Sequence, residues 1–305
     1  MIPKKIILLF FGVSTVLLGL KNYLFAESDF GIYFKKAYNS RDLDTRIMYC
    51  TKAIEVWKES DRKEKLADAY FNRGNAYLQK GDYDRAITDY NKAIEINPKY
   101  ADAYFNRGNA YLQKGDYDRA IADYNKAIEI NPKYADAYFN LGNAYLQKGD
   151  YDRAIADYNK AIKLNPKYVY AYFNRGWTYG KKKDYDRAIA DYNKAIEINP
   201  KDAYTYNNRG YAYLWLSKWE EARKDLEKAI QLDENYSSTY ENLGIYYWKA
   251  KKDKAKALEY FEKAFQKGYD FWDSLYDEES IGYFIKDLNQ TPEFKILVEK
   301  YKNKK

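Results

Sequence analysis

The sequence predicts an all-α solenoid built from antiparallel helix pairs. Three observations lead there. Gly74, Gly108, Gly142, Gly176, Gly210 and Gly244 stand 34 residues apart each time. Consecutive units at that period are nearly the same, since 67–100 and 101–134 differ only at Thr88 against Ala122. Each unit also carries two stretches of helical periodicity separated by chain breakers. A fixed period of this size marks a repeat array, in which one unit cannot bury its apolar face alone and needs its neighbours.

Within 101–134, Tyr104, Gly108 and Tyr111 recur at spacings of four and three, which puts them on one face of a first helix. Ala120, Tyr124, Ala127 and Ile128 do the same for a second. Gly115–Asp116 breaks the chain between them, and Asp116 is placed to cap the second helix. Asn131–Pro132 ends it, because proline cannot continue a helix. Small Gly108 and Ala127 mark where the two helices touch most closely. The units 67–100, 101–134, 135–168, 169–202 and 203–236 follow without a gap. A sixth, 237–268, needs one extra residue near Lys252 before Ala257, Phe261 and Ala264 fall into register.

The ends of the array depart from the pattern. In 27–66, Asp44, Ile47, Cys50, Ala53 and Ile54 align with Asp84, Ile87, Tyr90, Ala93 and Ile94. Six extra residues within Lys58–Lys65 then precede the first clear repeat. This reads as a degenerate N-terminal capping helix pair spanning Asp29 to Trp57. In 269–305 the period is lost over Phe271–Asp287, and Pro292 opens a short helix with Phe294, Leu297, Val298 and Tyr301 on its apolar side. That reads as a C-terminal cap, since open solenoid ends need a polar outer face. Lys300, Lys302, Lys304 and Lys305 read as a solvated basic tail.

The order aromatic, Gly, Tyr, Ala, aromatic, Ala and Pro, met by Tyr104, Gly108, Tyr111, Ala120, Tyr124, Ala127 and Pro132, resembles the tetratricopeptide repeat. The resemblance covers residues 67 to about 268, with Glu234 where the fifth unit's proline is expected. It implies a right-handed superhelical array whose first helices line a concave groove. It also implies a non-catalytic scaffold that binds a protein or an extended peptide in that groove.

The sixth residue of every unit is asparagine: Asn72, Asn106, Asn140, Asn174, Asn208 and Asn242. The ninth is Asn75, Asn109 and Asn143 in the first three units. The resemblance implies that asparagine here grips a peptide backbone, since an amide offers both donors and an acceptor without reading sequence. The alternative is that these amides tie helices together or face water. Phe71, Phe105 and Phe139 sit beside them where a carboxylate clamp would need basic residues. From the fourth unit the same face carries Tyr170, Trp177, Tyr204, Tyr211, Trp215 and Trp248. These read as apolar anchors for a partner, with core packing as the competing explanation. A second functional reading is a carbohydrate-binding envelope protein, in which Trp177, Trp215 and Trp248 stack on sugars.

Arg73, Arg107, Arg175 and Arg209 each have an aspartate 16 residues later, at Asp89, Asp123, Asp191 and Asp225. An ion pair inside each of those repeats is expected. The third unit keeps Asp157 but has Leu141 in place of the arginine.

The 305 residues include 37 tyrosines, no histidine and one cysteine, which removes the commonest general base and any thiolate metal cage. Cys50 therefore reads as a small buried hydrophobe. Gly176–Lys181 has the wrong spacing for a phosphate-binding loop, and Asp116 with Asp118 is explained by a helix start. No enzyme, cofactor or metal site is expected. The net charge is +7, yet 101–134 carries five basic and five acidic residues, so no basic stripe runs along the array and nucleic acid is not the expected partner. At the start, Lys4 and Lys5 precede an apolar run from Ile6 to Leu20. Residues 1–26 read as an export signal ending at Ala26 or as an uncleaved anchor, either of which places the folded body in the cell envelope or outside it.

Overall fold

The computed structural model describes residues 28–270, 272–277 and 279–302. Among these the chain forms sixteen α-helices and one short 3-10 helix, with no strand. Residues 1–26, on which the export reading falls, lie outside the described residues. Among the described residues no helix is long and apolar enough to cross a membrane. The chain divides into two compact units at Pro98/Lys99.

The first unit holds α1 (Asp29–Asn39), α2 (Leu43–Val56), α3 (Lys63–Gln79) and α4 (Tyr83–Ile96). Ser28 caps α1 by accepting the Gly31 N–H at 3.2 Å, and Asp42 caps α2 by accepting that of Thr45 at 2.7 Å. Phe30 and Phe34 pack with Ala53 and Ala69, so α1 and α2 are the N-terminal helix pair read from the sequence. Cys50 is buried in it and its thiol is pushed up to about 12 by burial. The first helix of repeat one starts at Lys63 rather than at Ala67, because nothing between the two residues breaks a helix.

The second unit holds α5 (Ala101–Gln113), α6 (Tyr117–Ile130), α7 (Ala135–Gln147), α8 (Tyr151–Leu164), α9 (Val169–Lys181) and α10 (Tyr185–Ile198). It continues with α11 (Ala203–Trp215), α12 (Trp219–Leu232), α13 (Ser237–Lys249) and α14 (Lys254–Gln266). A 3-10 helix (Trp272–Leu275), α15 (Ile281–Ile285) and α16 (Pro292–Lys302) close it. Each repeat is an antiparallel pair, and the first helices α5, α7, α9 and α11 neighbour one another in a row.

The turn between paired helices works as the sequence implies. Gly115 takes φ 76° and Asp116 accepts the Arg119 N–H at 3.1 Å. In repeats four and five Lys183 and Ser217 hold the same left-handed conformation without being glycine. In repeat six it is Lys252, one residue further on, which is where the extra residue was expected.

The close approach is equally specific. A Cβ on Gly108 would lie 2.8 Å from the Tyr124 ring, and Tyr124 is fully buried. At the far end, Phe294 and Val298 of α16 are buried, and Phe294 meets the Phe261 ring edge-on at 5.1 Å. Lys300 belongs to α16 and pairs with Glu262 at 2.7 Å, so it is not part of a free tail.

Candidate functional site

The first-helix row is the candidate site, and its chemistry starts from the buried tyrosine of each second helix. A buried phenol needs a hydrogen-bond partner. Tyr124 donates its hydroxyl to Asn109 Oδ1 at 2.8 Å, and Tyr158 donates to Asn143 Oδ1 at 2.8 Å. Within the first unit Tyr90 donates to Asn75 in the same way. Repeats five and six replace this tyrosine by Leu226 and Phe261, and there the asparagine is gone too, replaced by Tyr211 and Ile245. Repeat four keeps the tyrosine, Tyr192, but has Trp177 in place of the asparagine, so the pairing is confined to repeats one to three.

The sixth-residue asparagines join these into a ladder across repeats. Asn109 donates to Asn106 Oδ1 at 3.4 Å, Asn140 to Asn109 Oδ1 at 2.8 Å, Asn143 to Asn140 Oδ1 at 3.3 Å and Asn174 to Asn143 Oδ1 at 2.8 Å. Asn109, Asn140 and Asn143 each spend one N–H on this chain and keep a second, Asn174 also reaches the Tyr158 hydroxyl, and all four are half-buried. Along the same row the Tyr134 hydroxyl donates to Asp102 at 2.8 Å and that of Tyr168 to Asp136 at 2.7 Å.

On another side of each first helix sit the expected ion pairs. Arg107 reaches Asp123 through two bonds of 2.8 and 2.6 Å, and Arg73–Asp89, Arg175–Asp191 and Arg209–Asp225 repeat the bidentate geometry. Arg209 also donates to Asn193 of the preceding repeat at 2.6 Å, which links repeats as well as helices. In repeat three Leu141 is buried instead, and burial pushes the Asp157 carboxyl up to about 7.

In repeats five and six the row is covered by the chain itself. Trp215 lies between Tyr185 at 5.4 Å and Tyr283 at 5.2 Å, both nearly parallel to it, while Phe284 meets its edge at 4.6 Å. Leu275, Ile285 and Leu288 of the C-terminal segment are fully buried in the same cluster. Beneath lie Glu241, pushed up to about 8 by burial, and Asn242, which donates to Asn207 at 3.0 Å.

A family model described as TPR repeat matches residues 74–115, 108–149 and 142–183. Two described as tetratricopeptide repeat match 169–202 and 202–266. The chain belongs to the tetratricopeptide repeat family. Among solved structures it is similar to MamA, at 32% identity and a TM-score of 0.51, over 53% of this chain and 94% of that one. It is also similar to YrrB, described as a TPR protein with an unusual peptide-binding site, at 27% identity and a TM-score of 0.53, over 62% of this chain and 95% of that one. A tetratricopeptide repeat protein from Parabacteroides merdae ATCC 43184 shares the fold at 24% identity and a TM-score of 0.60, over 85% of this chain and 98% of that one. No curated protein matches the chain.

In this tetratricopeptide array the expected site residues divide. Asn106, Asn109, Asn140, Asn143 and Asn174 come together as one ladder, and they hold helices as well as facing the row. In the first unit Asn72 turns back to the Asp68 carbonyl at 2.7 Å. Asn208 turns back likewise to the Tyr204 carbonyl at 2.8 Å, and Asn242 is buried. Tyr170 and Trp177 stay half-buried on the row, with the Lys181 ammonium 4.8 Å from the Trp177 ring centre. The expectation of an aromatic groove in repeats four to six is corrected further along. Tyr204 meets the Tyr236 ring at 4.5 Å, tilted by 50°, and Tyr211, Trp215 and Trp248 pack against the core of repeats five and six. Both faces of Trp215 are taken, so no sugar stacks there. The signal overlooked was Phe271–Asp287, which loses the period yet keeps apolar residues at Leu275, Phe284 and Ile285. Among the described residues no group of acidic residues and cysteine is placed to hold a metal ion.

Proposed function

We propose that the chain is a non-catalytic scaffold that holds an extended peptide along the first helices of repeats two to four. The observation that carries this reading is a contrast along one row. On α5 and α7 the row presents spare amide N–H groups on a rigid ladder, ending on α9 at the half-buried Trp177, whereas in repeats five and six the chain covers its own row. An extended peptide offers carbonyls at regular intervals, which is what spaced amide donors match, and an apolar side chain of the peptide meets Tyr170 and Trp177. The likeness to YrrB supports a peptide as ligand. In this reading the scaffold works outside the cytoplasm, sent there by residues 1–26. Hydrogen exchange on the full chain, with and without a partner captured from envelope extract, tests the binding face. Protection on α5, α7 and α9 is expected, and protection confined to α6, α8 and α10 would overturn the reading. A fusion of residues 1–40 to a reporter active only outside the cytoplasm tests the export, and a silent reporter refutes it.

A further inference from the structure

The outer face of the first helix pair is unlike an ordinary solenoid end. Phe30, Phe34 and Ala37 turn α1 toward the core, and the opposite side presents Ile32, Lys35, Lys36 and Asn39 at helical spacing. Thr45, Met48, Tyr49 and Lys52 of α2 continue that surface at the same spacing. Between the helices lies a shallow cleft of about 630 Å³ lined by residues of both, with Lys35, Lys36 and Tyr49 among them and no carboxylate. Tyr33 stacks on Tyr49 at 6.4 Å, with the Lys36 and Lys52 ammonium groups 5.8 and 5.7 Å from the Tyr33 ring. Two of the seven well-exposed large hydrophobic residues among the described residues are here, Ile32 and Met48, at 45% and 42% exposure. A polar cap would have neither of them. Asp29 stands at the start of the α1 stripe, and Glu55 lies one turn beyond Lys52 at the end of the α2 stripe.

We infer that this face rests on the surface of a bilayer containing anionic phospholipid. The inference rests on the reading that residues 6–26 enter a membrane, and it adds where the folded body then sits. The apolar run ends at Leu20 and the α1 cap is Ser28, so seven residues, or eight Cα-to-Cα steps, separate them. Such a stretch spans at most about 28 Å. The first helix pair is thereby tethered beside the headgroups. Tyrosine and lysine are the residue types that settle at that depth, the ring in the interface and the ammonium toward phosphate. Lysines within a Debye length of an anionic surface are drawn to it.

The test uses the full chain reconstituted into vesicles, either of phosphatidylcholine alone or with added phosphatidylglycerol. An environment-sensitive dye is placed on Asn39→Cys in a Cys50→Ala background, with a second preparation labelled at Gln147→Cys. Acrylamide, an uncharged quencher, reads exposure. Quenching at position 39 is expected to fall several-fold when phosphatidylglycerol is present, with position 147 unchanged. The triple variant Lys35→Glu, Lys36→Glu, Lys52→Glu, shown folded by its circular dichroism melt, is expected to restore quenching. Equal quenching at position 39 in both vesicle types would overturn the inference, as would protection that survives the triple variant. Carbonate extraction separates the two readings. A chain that washes off yet keeps the protection disproves the anchor alone, and an embedded chain with an unprotected label disproves the face alone.

Discussion

At the residue scale, the Arg–Asp pairs show what a nearly buried charge demands. Removing one partner of such a pair leaves the other uncompensated. Arg107→Leu is expected to destabilise the chain by about 3 kcal/mol in chemical denaturation, and adding Asp123→Leu is expected to recover a good part of it. Repeat three already carries that lesion. Asp157 has no arginine opposite, and its carboxyl rises from an ordinary 3.8 to about 7. A raised carboxyl favours the fold while protonated. Its contribution is therefore present below the unfolded value and is lost as the pH climbs from about 4 to about 7. Asp157→Asn is expected to flatten the dependence of stability on pH across that window. It should leave the variant more stable than the parent at pH 7, and equal losses of stability in both chains would refute it. Lys183 takes φ 61° where the earlier repeats have glycine. Lys183→Gly is expected to stabilise by about 1 kcal/mol, since a non-glycine residue in that region is strained.

At the scale of the helix pair, glycine serves two separate needs. Gly115 provides a backbone conformation, while Gly108 provides space for Tyr124. Gly108→Ala is expected to cost about 1–3 kcal/mol by overpacking, with the ring unable to retreat because it is fully buried. A melting temperature unchanged by that substitution would mean that the pair can open without loss. Most of this element was legible in the sequence. The spacing of Tyr104, Gly108 and Tyr111 gave the first helix and Asp116 gave the start of the second. The 16-residue offset from Arg107 to Asp123 gave the ion pair. The loss of the Asn109-type residue from repeat four onward, and of the Tyr124-type residue in repeats five and six, was also written there. It takes the structure to show that one hydrogen-bonds the other.

At the scale of the whole molecule, repetition was easy to read and its interruption was not. A period identifies repeats because every unit solves the same packing problem. The segment Trp272–Leu288 solves a different one, folding over the first helices of repeats five and six, and nothing periodic announces it. Trp215 and Trp177 thus looked alike in sequence, on the same face of successive first helices, yet Trp215 is stacked on both sides and Trp177 stays on the row. Comparing Trp177→Ala with Trp215→Ala tests the central claim most directly. Each full-length variant is melted and then titrated with the captured partner. Trp177→Ala is predicted to keep its melting temperature and weaken binding by about 2 kcal/mol, and Trp215→Ala to melt earlier through lost core packing. The account is contradicted if Trp177→Ala binds as the parent does, or if Trp215→Ala keeps its melting temperature and loses binding.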